Sequence, residues 1–389
     1  MNWHKELTIL LTLWDRVPCT FRWMAYANKV NLPFRVLIAD GGADESVPRL
    51  LANRDSFPNV DYQYVRYPYD ATPNDYYAKV LDALKRVETP FVVLADNDDF
   101  YMVDALLRNV EFLATHPDFS SSRGIIGGVR LDAKPNEDEL SNVYGDEVSF
   151  VRQVYPDRSN LGETAVARVH DYFSCYRANW YDVFRTRHTT ASFHVLQDLN
   201  TQDLILSQHI PMLLGVIAGK VNIDSSLYLV RQLEGPSSVD RTETQQKADL
   251  FDRMLLETWS EDFKGFVETI AAAISEKDAI SIDQAQLEVK RAYRNFIGPH
   301  LIYDLRAKLP PARRFRIARS AISSLGPLGS ALRKLYPPVQ RAITGEPNGR
   351  RFIPGSRLSA ADSGLKLISD FLATPPPAVE DPDPRRTSP

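Results

Sequence analysis

The chain has 389 residues, of which 44% are hydrophobic, 10% aromatic and 25% charged, with a formal net charge of -4. Its length exceeds one typical domain and predicts two units with ample apolar material for a core, and its acidic balance argues against nucleic acid as a partner. The only two cysteines, Cys19 and Cys175, are far apart and in no metal-ligand spacing, which argues against a disulfide framework and a structural zinc site and favours a reducing compartment.

Behind Lys5-Glu6 the apolar run Leu7–Leu13 superficially resembles a signal peptide, but Asp15 and Arg16 cut it short and no small-residue cleavage site follows. It reads as a buried first strand. Phe34–Ala39, Val60–Tyr67 and Phe91–Ala95 read as further strands. Helical patterns lie between them over Thr20–Val30, Val47–Ala52 and Asp75–Val87, the last with Asn74 as its expected N-cap. This alternation predicts an α/β fold with a mostly parallel sheet flanked by helices, and ligands bound beyond the carboxyl ends of the strands.

A helix is expected from Asp104 to Leu113, then a strand over Gly124–Leu131 and a polar surface loop over Lys134–Arg158. His170–Trp180 is aromatic-rich, Thr201–Ala218 reads as an apolar helix, and Val221–Ile223 and Ser226–Val230 read as two strands. After Gly235-Pro236 come amphipathic helical patterns over Thr242–Ser275 and Ile282–Asp304. The expected division is a catalytic domain over 1–240, a helical C-terminal region over 241–373 and a disordered tail over 374–389. No segment reaches the roughly 20 apolar residues of a membrane span. The basic segment 306–351 mixes arginine with apolar residues and suits an anionic membrane surface or an acidic partner, although its Pro-Pro and Gly-Pro pairs interrupt any single helix.

The chemistry concentrates in Phe91-Val92-Val93-Leu94-Ala95-Asp96-Asn97-Asp98-Asp99-Phe100, an apolar strand running into three carboxylates within four residues. Their mutual repulsion is relieved by a divalent cation, and Mg²⁺ or Mn²⁺ is commonly held by one or two carboxylates with substrate phosphates. A solvated acidic loop would explain the triplet alone. Two other strand ends strengthen the functional reading: Asp40-Gly41-Gly42 after the second strand, and Trp14-Asp15-Arg16 after the first. Asp-Gly is also ordinary turn chemistry, and Arg16 could be a surface ion pair.

The Leu11-Thr12-Leu13-X-X-Arg16 pattern, Asp40-Gly41-Gly42, Lys79 and the Asp96-Asn97-Asp98-Asp99 segment together resemble GT-A glycosyltransferases, most of all a bacterial family-2-like group associated with surface polysaccharide synthesis. The resemblance covers roughly residues 5–235 and implies a Rossmann-like GT-A domain with a metal-assisted reaction. A sugar would pass from a nucleotide-sugar donor, a UDP-sugar by expectation, to a glycan or lipid-linked hydroxyl. It implies that Arg16, Asp40 and Lys79 line the nucleotide pocket and that Asp96 faces the ribose. It further implies that Asp98 binds the metal with Asp99 and Asp96 assisting, and that Arg231 meets the diphosphate. Where the family places a Glu-Asp pair for the acceptor, this chain has Gln197-Asp198 and Gln202-Asp203. Either Asp198 or Asp203 is then the candidate general base, Asp203 being equally a helix-terminal carboxylate. His170, His194 and His209 lie in the same half without a ligand spacing and read as core or surface histidines. The protein is expected in the cytoplasm, on the inner face of the plasma membrane if 306–351 binds lipid. A sugar nucleotidyltransferase or a Rossmann dehydrogenase would need a glycine-rich loop that no strand supplies. A non-catalytic scaffold remains the non-enzyme alternative.

Overall fold

The computed structural model describes residues 3–131, 143–145, 148–151, 155–177, 179–233, 250–308 and 363–374. Strands β1 (Leu7–Leu13), β2 (Arg35–Asp40), β3 (Tyr62–Arg66) and β4 (Phe91–Asp96) pair in parallel in the order β3-β2-β1-β4. Beyond β4 the sheet continues through β8 (Val183–Arg185), β6 (Phe119–Leu131), β9 (Lys220–Gln232) and β5 (Asp99–Tyr101), with β7 (Val148–Val151) attached to β6. β6 pairs parallel with β9, whereas β5, β7 and β8 run against their neighbours. The sheet is therefore mostly parallel in strand direction, the GT-A-type α/β arrangement that the motifs imply.

All seven residues of β1 are buried, because helices cover both faces and a strand so placed has no solvent side to make polar. Side chains alternate between the two layers. Leu7, Ile9 and Leu11 pack with Trp23 and Met24 of α1 (Val17–Lys29) and with Leu106 and Val110 of α4 (Val103–Thr115). Leu10 packs on the opposite face with Val80 and Leu84 of α3 (Pro73–Lys85). Register sets Thr12 of β1 beside Asp96 of β4, and Leu13 beside Asp40 of β2. Both strand-end aspartates thus stand on one rim, either side of β1.

Several expected elements are corrected. Asn74 lies inside α3; Thr72 caps it instead, in a capping box closed by the Asp75 carboxylate, an arrangement worth about 1 kcal/mol. The expected strands at 221–223 and 226–230 are one 13-residue strand, β9, and the strand over Gly124–Leu131 is the second half of β6. The aromatic-rich stretch His170–Trp180 begins in the second half of α5 (Ala165–Ser174), and α6 (Thr186–Leu199) follows β8 unannounced by strong periodicity. α7 (Leu204–Ala218) starts just after its Asp203 cap.

The C-terminal helices are not remote from this core. α8 (Leu250–Met254) precedes α9 (Glu257–Asp278) and α10 (Ile282–Lys308), and Phe266, Ile270, Val289 and Tyr293 join the cluster formed by α5, α7 and the sheet. A last helix, α11 (Ser363–Ala373), packs Leu365, Ile368 and Phe371 against Tyr26, Phe100 and Val230. The expected boundary near 240, most of the basic segment and the tail beyond 374 lie outside the described residues. No helix among the described residues is long and apolar enough to cross a membrane.

Candidate active site

Beyond the carboxyl ends of β1 and β4 opens a cleft of about 370 Å³. Trp14, Arg16, Asp96, Asp98, Tyr181 and Arg231 are among its walls. Each comes from a different local device.

The β1–α1 turn places two consecutive non-glycine residues, Asp15 (φ 55°) and Arg16 (φ 56°), in the left-handed region. Such backbone costs free energy and persists only where surrounding contacts over-determine it. Here Asp15 Oδ1 accepts from Ala43 N at 3.0 Å, and Asn97 Nδ2 donates to Arg16 O at 3.3 Å and to Thr20 Oγ1 at 3.0 Å. The middle residue of Asp-Asn-Asp therefore ties the carboxylate turn to the arginine turn. Gly42 completes the arrangement: a Cβ there would lie 2.8 Å from Asp15 N, so only glycine allows the two loops to close.

The carboxylates of Asp96, Asp98 and Asp99 can bring one oxygen each within 4.8 Å of one another. Arg16 Nη1 donates to Asp98 Oδ2 at 2.9 Å. Arg231 sits opposite Asp99 in the β5–β9 register and bridges Asp99 Oδ1 (3.1 Å) and Asp96 Oδ2 (3.4 Å). Tyr181 braces this pair from below, its hydroxyl donating to Asp96 Oδ2 at 2.7 Å and its ring lying 4.2 Å from the guanidinium carbon of Arg231. Burial pushes Asp96 up despite Arg231, and pushes Asp99 well above the usual carboxylate range. Burial opposes the charge of Arg231, yet Asp99 and its other neighbours hold its pKa well above the usual arginine value. Asp98 Oδ1 and Asp99 Oδ2 are buried without a hydrogen-bond partner. A buried carboxyl oxygen left unpaired is costly, and two in one cluster mark the place where a cation or donor would bind.

The remaining sequence candidates lie elsewhere. Asp40 is buried and engaged by the neighbouring strand β3 and its own turn, accepting from Arg66 Nη1 at 2.6 Å, Tyr64 OH at 2.7 Å and Gly42 N at 2.8 Å. Lys79 is likewise buried, donating to Leu13 O at 2.8 Å and to Asp70, and it is Asp70 rather than Lys79 that reaches the cleft. Burial pulls the Lys79 ammonium down and pushes the Asp70 carboxyl up, each against its partner's attraction. Neither Asp198 nor Asp203 is a wall of the cleft. Asp198 is exposed on α6. Asp203 caps α7 by accepting from Ile205 N and Leu206 N, and binds Arg253 through both oxygens. His209 is buried against Tyr172, His170 pairs with Glu288 at 2.9 Å, and His194 is exposed.

Sequence reasoning missed Asp70, Tyr76, Tyr181 and Gln208, all walls of the cleft. Tyr181 directly follows the aromatic-rich stretch, a signal that could have found it. Gln208 carried none.

No known protein-family profile matches the chain, and no curated protein does. Solved structures are similar in fold. S. aureus TarS 1-349 in complex with UDP-GlcNAc is 14% identical with a TM-score of 0.46, over 89% of each chain. S. aureus TarS 1-349 gives 15%, 0.44 and the same coverage. The mannosyltransferase PcManGT from Pyrobaculum calidifontis, in complex with GDP-Man and Mn²⁺, is 11% identical with a TM-score of 0.38, over 87% of this chain and 85% of its own.

Proposed function

We propose that this chain is a glycosyltransferase that moves a sugar from a nucleotide-sugar donor, a UDP-sugar by preference, to a hydroxyl of a glycan or lipid-linked acceptor with the help of Mn²⁺ or Mg²⁺. The observation that carries the proposal is the pair of orphaned carboxylate oxygens, Asp98 Oδ1 and Asp99 Oδ2, in a cluster that two arginines flank at the mouth of a strand-end cleft.

The residues fit a hard divalent ion: three carboxylates offer oxygens only, and two of those oxygens lack any donor. Asp96, Asp98 and Asp99 would hold it, and the ion supplies countercharge for a leaving diphosphate. The protein's own groups do the rest. Arg16 and Arg231 offer planar forks suited to phosphate oxygens. Trp14, Tyr76 and Trp180 present aromatic surfaces for a base or a sugar ring. Tyr181 holds Asp96 and Arg231 in place. No proton-transfer role is proposed for Asp198 or Asp203, since neither carboxylate reaches the cleft. Peripheral membrane contact through 306–351 is proposed on its charge pattern alone.

A hydrolysis panel of UDP-, GDP-, dTDP- and CMP-sugars with Mn²⁺, Mg²⁺ or EDTA tests the reading. Metal-dependent release of one nucleotide supports it and names the donor. Silence across the panel, with no metal-dependent nucleotide binding, overturns it and favours a scaffold.

A further inference from the structure

The five charged groups at the strand ends are ion-paired to one another before any ligand arrives. Three carboxylates face two guanidiniums, so the fully ionised set carries one net negative charge (three minus two). Each carboxylate already has a guanidinium: Asp98 has Arg16, and Asp96 and Asp99 share Arg231. A divalent ion entering alone can take the unpaired Asp98 Oδ1 and Asp99 Oδ2, but only beside guanidiniums that already hold the other oxygens of the same carboxylates and that repel it. A diphosphate has the opposite effect, because it gives both forks an alternative anion.

The two arginines are placed for such an exchange. Their side chains are 16% and 20% exposed, and both line the cleft. The Arg231 backbone is pinned by its register with Asp99, and its guanidinium rests on the Tyr181 ring, so the fork can change anions while the strand stays fixed.

We propose that Arg231, with Arg16, is a placeholder cation that couples metal binding to diphosphate binding. While they occupy the carboxylates the site takes a divalent ion weakly, and a nucleoside diphosphate that attracts the guanidiniums tightens it. This rests on the glycosyltransferase reading of the same cleft and adds that the protein alone is held in a low-affinity state for metal. Coupling of this kind is reciprocal, so Mn²⁺ tightens the diphosphate by the factor by which the diphosphate tightens Mn²⁺.

A diphosphate that touches the ion would couple the two at any such site, so the decisive quantity is the Mn²⁺ affinity of the nucleotide-free protein. We would titrate Mn²⁺ by calorimetry into full-length wild type and Arg231→Gln, each alone, with UDP and with uridine, after checking both folds by circular dichroism. The expected result is that Arg231→Gln alone binds Mn²⁺ about five- to tenfold more tightly than wild type. Its UDP-dependent gain should shrink by a similar factor, a coupling within the usual range, and uridine should give no gain in either protein. Arg16→Gln is the second variant, expected to act in the same direction if Arg231→Gln fails to fold. Equal or weaker Mn²⁺ binding by the folded variant overturns the placeholder role while leaving the metal site intact. Wild type that binds neither Mn²⁺ nor Mg²⁺ with UDP, GDP or dTDP overturns the placeholder and the metal-assisted glycosyltransferase reading together, a distinguishable result.

Discussion

Among the aspartate–arginine pairs of the described residues, Asp203 with Arg253 and the strand-end set are set apart by their hydrogen bonds. Asp203 spends its carboxylate entirely inside the protein: two backbone amides of α7 and both ends of the Arg253 fork satisfy it, and both side chains are less than a tenth exposed. The strand-end set of Asp96, Asp98 and Asp99 with Arg16 and Arg231 leaves two carboxylate oxygens unpaired and opens onto a cleft. Residue types are the same in both places. What separates a structural ion pair from a ligand site is the account of lone pairs and the presence of space beside them.

Removing a partner from the saturated assembly should have the largest effect. Arg253→Ala strands the Asp203 carboxylate among apolar and aromatic groups, and should lower stability by about 3–5 kcal/mol, measured by urea unfolding. Metal-dependent UDP binding by the fraction that stays folded should be unchanged. In the open assembly the expected pattern reverses: Asp98→Asn should cost about 10²–10³-fold in donor hydrolysis, the scale of losing one charge-stabilising group, with a melting temperature close to wild type. If Asp98→Asn unfolds the protein and Arg253→Ala abolishes binding without unfolding it, the two assemblies have been assigned the wrong way round.

Tyr181→Phe sharpens the comparison, because it deletes one donor to Asp96 and keeps the ring under Arg231. A hydrogen bond to a charged group contributes about 1.5–3 kcal/mol, so Mn²⁺ affinity in the presence of UDP should weaken roughly tenfold or more. Unchanged affinity would mean that the backbone alone orients Asp96.

A separate prediction concerns pH. His209 lies beside Tyr172, with Asp203, Arg253 and His300 the charged or titratable groups acting on it, and burial pulls its pKa down from 6.5 to about 3. An unfolded chain takes up the proton below its ordinary pKa, whereas the folded one resists it. This stabilising contribution is therefore complete above about pH 6.5 and falls by about 1.4 kcal/mol per pH unit as the solution is acidified towards the folded value. His209→Gln should flatten the stability profile between about pH 6.5 and pH 4 relative to wild type. Parallel profiles would contradict the neutral buried state.

The first half of the fold was legible because parallel strands buried on both faces read as apolar runs, as β1, β2 and β4 do, while the edge strand β3 was legible from its β-branched and aromatic residues. The carboxylates after β4 and the arginine after β1 were legible for the same reason: the strand ends locate them. Beyond residue 115 the signal is uneven: the long helices over 204–218, 257–278 and 282–308 were expected near where they lie, but the strands were harder to read. β8 has three residues, too few for a period, and the long β6 and β9 carry bulges that interrupt alternation. Arg231 was reached only through the family resemblance, and its pairing with Asp99 depends on a register between residues 132 apart in sequence. Asp40 shows the opposite failure: an aspartate before two glycines looks free to reach a ligand, but Tyr64 and Arg66 on the next strand claim it. Asp203 likewise pairs with an arginine 50 residues away that no local pattern announces.

The most direct test is water-proton relaxation by Mn²⁺ in the presence of UDP, comparing wild type with Asp98→Asn and Asp203→Asn, each confirmed folded. The strand-end cluster as the ligand site predicts one bound Mn²⁺ in wild type and in Asp203→Asn, and its loss in Asp98→Asn. A folded Asp98→Asn that keeps the ion, or an Asp203→Asn that loses it, would contradict the account.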